Sequence, residues 1–205
     1  MAAKISTYKK LILAFLFLLF LLIACSENKN EIQKLSFRIN EELIDSTYVD
    51  STYNISFRPP RIFKSLSPEN FDKLVKAQEN IASSAELKEL QLIPVFAFTD
   101  SSQKSYCFVS AIKSQSNDNN KNIIKIYKER IKDKFINSNI KEGIYKITNI
   151  VVHQFTIMNQ NMVTIKLILA LEDSDPIVVD YMMPLQIYRK NLRAVESSIG
   201  TIKQI

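Results

Sequence analysis

The stretch IYKITNIVVHQFTIMNQNMVTIKLILALEDSDPIVVDYMMPLQI spans residues 144–187. Its apolar residues recur with the period of two that a half-buried strand requires. Val163, Ile165, Leu167, Leu169 and Leu171 share one parity and so point to one face. Ile168 and Ala170 fall on the other parity, which predicts partial cover there too, as for a sheet with helices near both faces. Asn159-Gln160-Asn161 and Asp173-Ser174-Asp175 are turn residues. Strands are therefore expected at about 144–158, 162–172 and 177–187. Proline cannot donate to a ladder, so Pro184 places the third strand, or its end, near a sheet edge.

Beyond the meander, a closing helix is expected over about 189–199, with Leu192, Val195 and Ile199 turned inward and Gly200 as the residue after its end. Before the meander, Ile123, Tyr127, Ile131 and Phe135 mark an amphipathic helix to about residue 138 with a lysine-rich, solvated outer face. SQSNDNNKN at 114–122 reads as a loop. LIPVFAF at 92–98 and SYCFVSAI at 105–112 flank TDSSQK, a hairpin-sized connection. Ser67-Pro68 opens a helix, with serine as N-cap and proline at the first position. Phe71, Leu74, Val75 and Ile81 share its apolar face. Ser83 and Glu86 offer a capping box for a further turn carrying Leu87 and Leu90. Earlier still, LSFRI at 35–39 suits a first strand, and Ile55 and Phe57 alternate as in another. DSTYVDSTYN at 45–54 is an imperfect tandem pentapeptide, read as a turn between two short strands. Asp45 and Asp50 beside hydroxyls hint at calcium, but the loop lacks the glycine and the ligand spacing. The order of elements argues one α+β domain over 35–205: an antiparallel sheet with flanking helices.

Two segments carry a resemblance. YNISFRPPRIFKSLS at 53–67 runs from a strand into a proline-bounded turn and an aromatic residue. LRAVESSIGTIK at 192–203 is a closing helix with a short aliphatic tail. Both look similar to the PsbP-like family, the photosystem extrinsic subunits and their bacterial relatives. That resemblance implies the same α/β sandwich and does not fix a function. The family usually has glycine-tryptophan after its proline; here Arg61-Ile62-Phe63 follows, and the chain has no tryptophan.

The N-terminus sets the address. Lys4, Lys9 and Lys10 precede fourteen apolar residues, 11–24, and Cys25 follows at once. A basic start and a short apolar core form a secretory signal pattern. Fourteen helical residues rise only ~21 Å against a bilayer core of ~30 Å, which argues against a permanent span. Leu22-Ile23-Ala24-Cys25 resembles the lipobox of bacterial lipoproteins. The resemblance implies diacylglycerol on the Cys25 sulfur and cleavage between Ala24 and Cys25, making 1–24 a signal peptide. A thiolate suits that alkylation because no other side chain is as nucleophilic at neutral pH. Two or more acyl chains on one residue hold stably where a single chain does not. Residues 25–34 then read as a lipidated cysteine and flexible tether. The expected address is the cell envelope, with the domain in the periplasm or at the cell surface. Ser26 is similar to the residue found in lipoproteins sorted to an outer membrane.

Charge and inventory limit function. The 27 basic and 21 acidic residues include three lysines in the signal, so the remainder carries an excess of three, far from a nucleic-acid footprint. With Cys25 acylated, Cys107 is alone, so no internal disulfide forms; its β-like setting suits a small buried hydrophobe. The single histidine, His153, rules out His-rich metal sites and shares parity with Val151, Phe155 and Ile157, as a buried histidine would. A Cys107–His153 dyad requires the two to meet in space. Two glycines, Gly143 and Gly200, cannot build a phosphate-binding loop. Glu41, Glu42, Glu69, Asp72, Glu86 and Glu89 supply carboxylates that nothing forces into a catalytic pair. No cofactor, metal or catalytic residue is expected. The leading expectation is a lipid-anchored, non-catalytic binding or accessory domain, whose partners are the membrane, through Cys25, and an unidentified envelope protein. The alternatives are a small-ligand or lipid carrier with a pocket between sheet and helix, and a hydrolase built on His153 or clustered carboxylates.

Overall fold

The structure is a computed structural model that describes residues 32–82, 90–114 and 118–205. The chain divides into two units, Met1–Ile32 and Gln33–Ile205. In the second, β1 (Tyr48–Asp50), β2 (Ile55–Phe57), β3 (Phe63–Ser65) and α1 (Pro68–Ala82) come first. Then follow β4 (Leu90–Asp100), β5 (Tyr106–Ser114), α2 (Asn120–Lys134), β6 (Asn139–Ile147) and β7 (Ile150–Asn159). The chain closes with β8 (Met162–Ala170), β9 (Ile177–Pro184), α3 (Leu185–Gly200) and β10 (Lys203–Gln204). Seven strands pair antiparallel in the order β3-β4-β5-β9-β8-β7-β6, and β1-β2-β10 form a small second sheet. The expected α+β class, an antiparallel sheet with flanking helices, is the one found.

The two parities of β8 explain the layers. Val163, Ile165, Leu167 and Leu169 are buried among Val195 and Ile199 of α3 and Ile55 and Phe57 of β2. Ile168, on the opposite face, is buried with Ile123, Ile124, Tyr127 and Ile131 of α2. Each such side chain contributes roughly 1.5–3 kcal/mol by leaving water. So α2 covers one face, and α3 with the small sheet covers the other. A buried hydroxyl network fixes α3. Tyr181 and Ser198 share a hydrogen bond of 2.9 Å, Ser198 Oγ donates to the Arg58 carbonyl at 2.5 Å, and the Arg58 N–H donates to Thr201 Oγ1 at 3.0 Å.

Several expected boundaries move. Residues 144–158 are not one strand: β6 and β7 are joined by the two-residue turn Thr148-Asn149, with Ile147 paired to Ile150. The meander therefore has four strands. α2 ends at Lys134, where the Phe135 N–H donates to the Ile131 carbonyl, and Asn139 already begins β6. Residues 35–39 are not a strand. Their neighbour Lys34 makes a single parallel bridge to Lys146, after which the chain leaves the β6 edge and crosses toward α3. Leu90 opens β4 instead of ending a helix, and the expected capping box at Ser83 and Glu86 lies outside the described residues.

The C-terminal elements also depart from expectation. β9 is a central strand between β5 and β8, so Pro184 marks no edge; it sits at the strand's last position and caps α3, where a missing N–H costs nothing. Gly200 is the last residue of α3, and its φ is not positive. Close approach explains it: a Cβ there would lie 2.6 Å from the Phe37 Cβ. Leu192, expected inside, is exposed because α3 turns Val195 and Ile199 to the core instead. The hydroxyl-rich repeat does form a turn between β1 and β2, held by Asp50, whose carboxylate accepts from the N–H groups of Thr52 and Tyr53 at 2.9 and 3.0 Å. Ser67 caps α1, its hydroxyl accepting from the Asn70 N–H at 3.4 Å.

Candidate functional site

Ala24 and Cys25 lie outside the described residues, as do Glu86 and Glu89. The other expected groups do not converge. Cys107 is fully buried in the cluster beneath α3, and burial pushes its thiol well up. His153 projects to the opposite face of the sheet, in register with Ile144 and Ile168. No Cys–His dyad exists. His153 is half-buried instead of sealed, because α2 does not reach over that end of β6 and β7. Its Nδ1 lies 3.5 Å from Lys128 Nζ. Partial desolvation, then the Lys128 charge, hold the imidazole below its usual 6.5.

The carboxylates are dispersed as well. Asp45 accepts from the Ser46 N–H at 2.8 Å and from Lys64 Nζ at 3.2 Å, and these hold it below its usual value. Asp50 is spent on its turn. Glu69 pairs with Lys73 at 2.7 Å on the surface of α1, where Asp72 is also exposed. Among the described residues no group of three or more His, Cys, Asp or Glu side chains could hold a metal.

Two surface grooves stand out. The larger, about 670 Å³, lies between residues 38–42 and α3, lined by Arg38, Asn40, Glu41, Glu42, Arg193, Glu196 and Ser197. Its base is fixed by the Asn40 N–H donating to Ser197 Oγ at 3.1 Å. Glu41 is engaged by Arg58 at 2.5 Å. The groove therefore presents both signs of charge on a rigid floor, without a pair of carboxylates enclosed together. The smaller, about 490 Å³, is formed by Thr52, Tyr53 and the 173–175 turn, which is tied across by Asn120 Nδ2 donating to the Ser174 carbonyl at 2.8 Å. Both grooves are on the surface. Between the sheet and the helices lie the two apolar clusters.

Sequence reading missed one buried polar cluster. Lys166 of β8 pairs in register with Asp180 of β9, with Nζ 2.6 Å from Oδ2 and both side chains 13% exposed. α2 lays Tyr127 over the pair. Burial opposes the Lys166 charge, but Asp180 and the Tyr127 hydroxyl outweigh it, and the ammonium is held above its usual value. Burial first, with Asp180 adding and Lys166 opposing, lifts the Tyr127 hydroxyl to about 12. Asp180 Oδ1 has no partner among the described residues. The signal was present in the sequence: one lysine inside VTIKLILA and one aspartate inside IVVDYMM are single charges within otherwise apolar strands. What the sequence lacked was the register that sets them opposite each other.

No family model matches the chain, and no curated protein matches it. Among solved structures, the solution structure of cyanobacterial PsbP (CyanoP) from Synechocystis sp. PCC 6803 is similar, with a TM-score of 0.47 and 8% identity over 78% of this chain and 92% of that one. Likeness at that level carries neither activity nor binding across. Among the described residues no helix is long and apolar enough to cross a membrane.

Proposed function

We propose that this chain is a bacterial envelope lipoprotein, acylated at Cys25 and cut after Ala24, whose α+β domain binds or supports another envelope component without catalysis. Leu22-Ile23-Ala24-Cys25, placed at the end of a basic-then-apolar start, carries the reading. Residues 25–34 would then form the tether, its last two residues, Gln33 and Lys34, being held at the β6 edge. Among the described residues the faces between sheet and helices are occupied by close-set apolar side chains, which favours an interaction domain over a carrier, since a carrier needs an apolar cavity there. The separation of Cys107 from His153 by the full thickness of the sheet disfavours a hydrolase. The mixed-charge groove beside Arg193 offers a polar partner both signs of charge at a fixed spacing.

Growth with labelled fatty acid tests the anchor: wild type takes up label and Cys25→Ala does not. Label persisting in Cys25→Ala refutes acylation at this site. For the partner, in-cell crosslinking from the groove should capture one component reproducibly, and Arg193→Glu should abolish that capture.

A further inference from the structure

One face of the domain is only partly covered. α2 sits over β5, β9 and β8 and leaves the far end of β6 and β7 open. There Ile144 is 47% exposed and Val151 and His153 are half-buried. The flank of α2 turned toward this opening is basic. Lys121, Lys125, Lys128 and Lys132 follow one another at helical spacing, the last two reaching His153 of β7 and Glu142 of β6. Lys132 is paired with Glu142 at 2.8 Å, whereas Lys121 and Lys125 make no ion pair among the described residues. Glu129 is the exposed acid nearest the stripe along the helix. Lys146 and Lys34 continue the positive rim along β6, joined by their bridge.

That bridge also shows where the chain enters. Lys146 N–H donates to the Gln33 carbonyl and the Leu35 N–H to the Lys146 carbonyl, each at 2.9 Å. Gln33, the first residue of this unit, is therefore held at the rim of this opening. Eight steps separate Gln33 from Cys25, a reach of at most ~28 Å.

We propose that this face, with Ile144 at its centre and Lys121, Lys125, Lys128 and Lys146 around it, docks on an anionic lipid headgroup surface. The proposal rests on acylation of Cys25, which brings the face to the bilayer. Basic side chains ringing an exposed aliphatic group match the chemistry of an acidic interface, and each lysine held there strengthens the contact roughly fivefold. The tether raises the local concentration of lipid surface, so a weak contact suffices to orient the domain.

Depth-dependent quenching tests this on the full acylated protein. Ile144→Cys carries a bimane label; Cys107 is sealed, and the Cys25 sulfur is a thioether in the acylated chain. Val49→Cys, exposed on the small sheet beyond the opposite face, is the control site. Vesicles contain phosphatidylcholine with or without phosphatidylglycerol, plus spin-labelled lipid. Position 144 should be quenched only with phosphatidylglycerol and released by high salt, while position 49 stays bright. Lys121→Gln/Lys125→Gln/Lys128→Gln in the Ile144→Cys protein should bring quenching down to the control level. Equal signals with both vesicles, or an unquenched position 144 on protein that floats with vesicles, overturns the docking and leaves the anchor standing. Protein that fails to float with phosphatidylcholine vesicles overturns the anchor and the docking together. Shielding of position 144 in cells but not on vesicles overturns it in favour of a protein partner.

Discussion

Lys166 and Asp180 show what one residue pair does in an apolar layer. Together they are neutral, and the pair is specific to one β8–β9 register, because a slip by one residue puts each on the wrong face. Removing one partner strands the other charge in a low dielectric, which costs roughly 3–5 kcal/mol. Lys166→Met should therefore lower the unfolding free energy by that amount in urea titrations. Lys166→Met/Asp180→Leu should recover most of the loss, since an apolar pair of similar volume needs no desolvation. A double variant as unstable as the single one would show that the pair itself, and not the orphaned carboxylate, is the stabilising element. Tyr127 sharpens the contrast: in the single variant it remains over a bare carboxylate, and in the double it faces only carbon.

The β6–β7 turn holds a β-branched residue in the left-handed region of the backbone. Thr148 sits at φ 54°, while Asn149 does not have positive φ. A two-residue hairpin with positive φ at its first position prefers glycine there, and a β-branched residue is strained in that region by roughly 1–2 kcal/mol. Thr148→Gly should stabilise the protein by about 1 kcal/mol, less the extra entropy of glycine in the unfolded chain, read as an upward shift of the thermal midpoint. The same residue hid the turn. TN between KI and IV has none of the asparagine-glycine chemistry that announces a hairpin, so two strands read as one long one. Turns written in the usual residues, NQN and DSD, fell where expected, with Gln160 and Asp173 at positive φ. The alternation of β8 was legible because Val163, Ile165, Leu167 and Leu169 share one parity and are all buried on one face. Edge strand β6, with an exposed Glu142, Gly143 and Ile144, has no such contrast and was half missed. Gly200 was visible as a glycine but not as a contact, since its neighbour Phe37 lies 163 positions away in the chain.

For the molecule as a whole, the buried and capped groups predict the shape of its stability against pH. His153 titrates below 6.5 when folded and at about 6.5 when unfolded, so the unfolded chain binds more protons as pH falls through that range, and stability declines. Asp45 and Asp100 are both held below 3.8. For Asp100 burial pulls upward, but Ser102 and the N–H groups of Ser105 and Lys104 prevail. Their contribution is present above 3.8 and is lost as pH falls through their folded values, a second acid step. On the alkaline side the sign reverses. Cys107, Tyr127 and Lys166 are all held above their usual values, so their contributions are whole below about 9.0, 10.0 and 10.5 and vanish as pH rises beyond. Stability should therefore show a plateau from about pH 6.5 to 9, measurable as unfolding free energy in urea at successive pH values. His153→Gln should remove the upper acid step and leave the lower one and both edges of the alkaline decline unchanged. A decline setting in just below pH 6.5 that survives in His153→Gln would mean that some group other than this imidazole, which lies beside Lys128 at the open end of β6 and β7, sets the acid limit of the fold.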